Sequence, residues 1–176
     1  MSVKRVLLAI AITVVFGVCS LWAQTPSAAA DAESATDNRV LGIEAGFLAG
    51  YRLADSELVV GQSFSLNLTV ARNVQVGFTT NNLSGAAAAD TYGLLKIAYF
   101  LTPQLGFNVA VGTASLGIPA ATAPAIGAGV FFNAFTTKST DAFSTALKFK
   151  LDYLADMNQG IAKGTIGFGL SAVFGL

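Results

Sequence analysis

The sequence predicts an all-β fold, an antiparallel up-and-down barrel of eight strands, and three observations predict it. First, 53% of its 176 residues are hydrophobic and only 11% are charged, against about 25% charged in ordinary soluble domains. Second, beyond residue 23 no apolar run approaches the ~20 residues of a membrane-spanning helix, so the apolar residues are interleaved with small and polar ones. Third, the final segment interleaves without a break. Ile166, Phe168, Leu170, Ala172, Phe174 and Leu176 share one face of an extended strand, and Thr165, Gly167, Gly169, Ser171 and Gly175 share the other, because successive strand side chains point to opposite sides.

Ahead of the strands, Lys4 and Arg5 precede an uncharged apolar run over residues 6–23. This is the outline of a secretory signal peptide spanning residues 1–23, although the run is also long enough for an uncleaved membrane helix. Ala23 offers a cleavage point and residues 28–30 a second. Residues 24–38, polar and rich in Ala and Ser, are expected to form a flexible linker, which leaves residues 39–176 for the barrel. Cys19 suggests a lipoprotein signal, but Val18 before it is bulkier than such signals usually carry. With Cys19 removed the mature chain has no cysteine, which fits an oxidising compartment without disulfides.

The period-two test places eight strands. Strand one (40–53) sets Leu41, Ile43, Ala45, Phe47, Ala49, Tyr51 and Leu53 against Gly42, Glu44, Gly46, Gly50 and Arg52. Strand two (58–71) sets Phe64, Leu66, Leu68 and Val70 against Ser63, Ser65, Asn67 and Thr69, and Arg72 and Asn73 turn the chain. Strand three (74–81) opposes Val76 and Phe78 to Gln75, Gly77 and Thr79, and a long loop is expected over residues 82–90. Strand four covers 91–101, and Pro103 marks the next turn, since proline presets a turn and cannot donate to a ladder. Strand five (105–113) has Phe107, Val109 and Val111 facing away from Asn108, Ala110 and Gly112, and a Pro-containing loop is expected over 114–124. Strand six covers 125–136. Strand seven (142–154) alternates Leu147, Phe149, Leu151 and Tyr153 with Lys148, Lys150 and Asp152, and strand eight covers 164–176.

Connections after the even strands are shorter than those after strands three and five, as in barrels with short turns on one side of a membrane and longer loops on the other. A soluble lipocalin-like barrel would alternate too, with its apolar face inward. Here the polar face is mostly Gly, Ala, Ser, Thr and Asn, with charges at Glu44, Arg52, Lys96, Lys148, Lys150, Asp152 and Lys163. That is sparse for a surface in water, where about 25–35% of residues are charged, and it suits a narrow lumen. The apolar face carries no charge, which suits a lipid bilayer, with Tyr51 and Tyr153 at one rim and Tyr99, Phe107 and Phe174 at the other as girdles. The fold class is therefore a transmembrane antiparallel β-barrel.

The lumen charges form the candidate network, and neighbouring strands bring Glu44 and Asp152 into reach of Lys163. A second lumen set is apolar. Leu48, Leu94, Phe131 and Phe135 are candidates for a hydrophobic gate, with Tyr92, Phe100 and Leu154 in the same phase.

The ending with Phe168, Leu170, Phe174 and Leu176 resembles the C-terminal insertion signal of bacterial outer-membrane β-barrel proteins. The resemblance implies an outer-membrane location, contact with the outer-membrane assembly machinery, and both chain ends in the periplasm. Over residues 40–176 the architecture, with its apolar lumen set, resembles the small OmpW family; the OmpA membrane domain and OmpX are similar nearly as closely. The OmpW resemblance implies a narrow passive channel for small hydrophobic solutes. A closed barrel whose outer loops bind host or envelope molecules is the alternative.

Other chemistries lack their residues. With no histidine in the chain, the usual general base is missing, and with no mature cysteine neither a nucleophilic triad nor a zinc site is supported. No enzyme activity and no cofactor are expected. Asp55, Glu57, Asp90 and Asp156 are expected as solvated loop charges rather than a Ca²⁺ site. Gly164, Gly167 and Gly169 lie within a strand with no helix after them, so they are not a phosphate loop. No basic cluster points to nucleic acid.

Overall fold

The computed structural model describes residues 40–86, 88–117, 121–140 and 143–176. The signal peptide (1–23) and linker (24–38) lie outside the described residues. Eight antiparallel strands follow in order: β1 Leu41–Arg52, β2 Glu57–Ala71, β3 Val74–Ser84, β4 Ala89–Phe100, β5 Leu105–Leu116, β6 Ala121–Thr140, β7 Phe143–Asp156 and β8 Thr165–Gly175. Each pairs with its sequence neighbour, and β8 pairs with β1, so the sheet closes into a barrel with no free edge.

The strands are staggered. Rungs followed from Glu44 lead through Ser65, Thr79, Leu94, Gly112 and Ala125 to Asp156 at the far end of β7. This is the tilt that closing a sheet requires, and in an eight-stranded barrel the interior is just wide enough for side chains to fill.

The alternation sorts the two faces as the sequence predicts. Phe47, Leu66, Leu95, Val109, Val111 and Phe168 project outward and are exposed, whereas Glu44, Arg52, Asp90, Lys148, Lys150 and Asp152 are buried inside. A soluble barrel would have the reverse arrangement, so the lipocalin-like alternative fails and the exterior is one built for hydrocarbon. Tyr51 and Tyr153 flank Ile166 across β8 at one end. At the other, Tyr99 and Phe107 are register partners with ring centroids 5.5 Å apart.

Several expected boundaries are corrected. The long loops at 82–90 and 114–124 are strand for most of their length, since β3 runs to Ser84, β4 starts at Ala89, β5 runs to Leu116 and β6 starts at Ala121. The Asn, Asp and Pro residues that signal turns there are overridden because neighbouring strands supply every rung. Leu83 is an inward core residue, and Asp90 is a strand residue paired with Leu83 and Leu116. Pro124 pairs with Thr113 in β6, yet no rung is lost. Its carbonyl accepts from Met157 N at 2.8 Å, so its nitrogen also faces the β7 side, beyond the last β6–β7 rung at Asp156. The longest connection over described residues is 157–164, which contains a short 3-10 helix, Ile161–Lys163.

Candidate functional site

The lumen is filled in three layers. The first is ionic and centres on Glu44 of β1, whose side chain is 1% exposed. Lys148 Nζ donates to Glu44 Oε2 at 2.8 Å and Lys150 Nζ donates to Oε1 at 3.3 Å. Lys96 Nζ lies 3.8 Å from Oε2. Lys150 also donates to Ser63 Oγ at 2.6 Å and lies 3.8 Å from Asp152 Oδ2, while Asn108 Nδ2 donates to Asp152 Oδ1 at 3.5 Å. Lys148 sits over the Phe131 ring, 4.9 Å from its centroid, a cation–π contact that strengthens when desolvated.

Local sequence makes room for these long side chains. Gly169 is the register partner of both Leu48 and Lys150. A Cβ there would lie 2.6 Å from Lys150 Cε and 3.2 Å from Leu48 Cδ1, so the absent side chain is what lets the lysine cross toward Glu44.

Beside the ionic layer, Ser65 Oγ donates to Thr79 Oγ1 at 2.8 Å, and Thr79 Oγ1 donates to the Phe64 carbonyl at 3.2 Å. Thr79→Val is expected to cost about 1 kcal/mol by leaving the Ser65 hydroxyl without its acceptor. The paired change Ser65→Ala with Thr79→Val should cost less than the sum of the singles in urea unfolding, because both partners then leave together.

The second layer is apolar. Leu48, Leu83, Leu94 and Val59, each 1% exposed, pack with Tyr92, Ala110, Ala114, Ala125 and Leu154. The third closes the far end around Arg52. Its Nη1 donates to Asp55 Oδ2 at 3.2 Å and lies 3.8 Å from Glu57 Oε2, Nη2 donates to the Ala88 carbonyl at 3.2 Å, and Nε lies 3.2 Å from Asp90 Oδ2. The Glu57 carboxylate also accepts from Ala86 N. The space left beside the ionic layer is a cavity of about 20 Å³, on the scale of one or two waters.

Of the residues proposed for the lumen network, Glu44, Lys96, Lys148, Lys150 and Asp152 form one cluster and Arg52 forms another with partners at its own end. Lys163 belongs to neither. It is exposed at the end of the 3-10 helix, because β7 runs on to Asp156 and β8 starts only at Thr165, so residue 163 lies past the last rung and its ammonium reaches water.

Among the gate candidates, Leu48 and Leu94 stand in the apolar layer and Phe131 lies buried under Lys148. Phe135 does not face the lumen. It is 81% exposed with φ 51° at the register shift between Ala134 and Thr137, and the bulge resets the alternation that would have turned it inward. Phe168, Leu170, Phe174 and Leu176 all face outward. Asp90 was missed as a partner of Arg52, although it continues the phase of Tyr92, Leu94 and Lys96. Ser63 and Asn108, hydrogen-bonded to the ionic cluster, also share the inward phase of their strands.

No family model matches the chain, and no curated protein matches it. Among the solved structures similar to the chain are two barrels. One is the N-terminal β-barrel domain of OprF from Pseudomonas aeruginosa, at 21% identity and a TM-score of 0.46, covering 77% of this chain and 97% of that one. The other comes from the de novo design of transmembrane β-barrels, at 12% identity and a TM-score of 0.45, covering 77% of this chain and 95% of that one.

Proposed function

We propose that this protein is a closed structural barrel of the bacterial outer membrane, inserted by the assembly machinery of that membrane, and that it contributes to the envelope as a rigid membrane body. The observation that carries this reading is the blocked lumen. Glu44 in the ionic layer and Leu48 and Leu94 in the apolar layer are each 1% exposed, so side chains close the lumen across both layers. The apolar exterior supports the bilayer location.

A second reading, a narrow OmpW-like channel for small hydrophobic solutes, draws support from the Leu48, Leu94 and Leu154 layer, which would line such a path. Planar-bilayer conductance and liposome uptake distinguish the two. Protein refolded to a heat-modifiable, β-rich state is expected to pass neither ions nor small apolar solutes. A steady flux that Leu48→Asp alters would overturn the closed-barrel reading in favour of the channel.

A further inference from the structure

The ionic layer is unbalanced. Among the described residues Lys96, Lys148 and Lys150 face only Glu44 and Asp152, an excess of one positive charge within the barrel wall. The acidic groups around Arg52 do not correct it, because the apolar layer of Leu48, Leu94 and Leu154 stands between. A buried charge without a partner is costly.

The shortfall falls on Lys96. Lys148 and Lys150 each hydrogen-bond the Glu44 carboxylate, whereas Lys96 Nζ approaches Oε2 only to 3.8 Å, beyond hydrogen-bond distance. The oxygen it approaches is already engaged by Lys148. An ammonium carries three donors, and these are left to the cavity of about 20 Å³ that Lys96, Lys148, Lys150 and Asn108 line together with the Glu44 and Asp152 carboxylates.

We propose that this cavity is a binding site for one small monovalent anion, of the halide class, held by Lys96 with Lys148, Lys150 and the Asn108 amide. Charge selects a monovalent anion, because a water would occupy the donors and leave the excess uncompensated, and the narrow space favours a monatomic one. The anion enters as the barrel closes and acts as a structural ion that completes the ionic layer. A one-site ligand present at 100 times its dissociation constant multiplies the ratio of folded to unfolded protein about 100-fold.

The test is to refold the chain in bromide, crystallise it and locate bromide by anomalous diffraction at the bromine edge. In parallel, urea unfolding is followed in chloride and in isethionate at equal ionic strength. One bromide peak beside Lys96, and a higher unfolding midpoint in chloride, are expected. Lys96→Met removes the excess charge and should abolish both effects, with folding monitored by gel mobility. Asp152→Asn enlarges the excess and should strengthen the chloride dependence, which keeps the test open if the Lys96 variant does not fold. No peak in the wild-type crystals, or a peak undiminished in Lys96→Met, would overturn the proposal. Conductance by the wild-type barrel would refute the closed-barrel reading alone, since the diffraction result stands apart from it.

Discussion

Glu44→Gln is expected to destabilise the refolded barrel by about 3–5 kcal/mol, the usual cost of removing one partner from a buried ion pair. The carboxylate is 1% exposed and is the common partner of Lys148, Lys150 and Lys96. Without it three ammonium groups remain, with Asp152 as their one carboxylate. The measurement is the urea midpoint in lipid vesicles, taken in halide-free buffer so that no anion replaces the lost charge. Adding Lys148→Met to Glu44→Gln should recover part of the loss, because it removes the cation that Glu44 held closest. Additive costs for the two changes would mean that the residues are not coupled, and an unchanged midpoint for the single variant would mean that Glu44 does not hold the layer together.

Val109→Arg is expected to cost about 2–4 kcal/mol, and Ser115→Arg about 0–1, although both lie on the outward face of β5. Val109 is 52% exposed and has Ile97 and Ala128 as its register partners, in the middle of the apolar belt. Ser115 has Thr91 and Thr122 as partners near the strand end, where the outer face turns polar. In water both arginines would be tolerated, so equal and small costs in vesicles would show that β5 does not face hydrocarbon at Val109.

Much of this architecture is legible in the sequence. Alternation assigns every strand residue to one of two faces, and a slip of one residue would exchange them all. Lys148, Lys150 and Asp152 therefore had to share a side, and so did Leu147, Phe149, Leu151 and Tyr153. Strand ends were harder to read. Asn82, Asp90 and Pro124 carry local turn signals, and only the neighbouring strands, by offering partners to their backbone groups, keep them in the sheet. Phe135 and Lys163 were misplaced for a related reason. A bulge shifts the phase at one, and the other lies past a rung that depends on where β7 ends.

The chain alone thus determined the barrel, its inside-out distribution and the side taken by the charges in the middle of its strands, because these follow from a period of two and from the cost of a charge in lipid, while Lys163 and Asp90, at strand ends, escaped it. It could not determine which charges meet. Glu44 and Lys148 are brought together from β1 and β7 across the closing β8 strand, at a height set by the stagger of the whole sheet. Only the tertiary structure decided that three lysines converge on one carboxylate, because the stagger on closure is a property of all eight strands and of no single one.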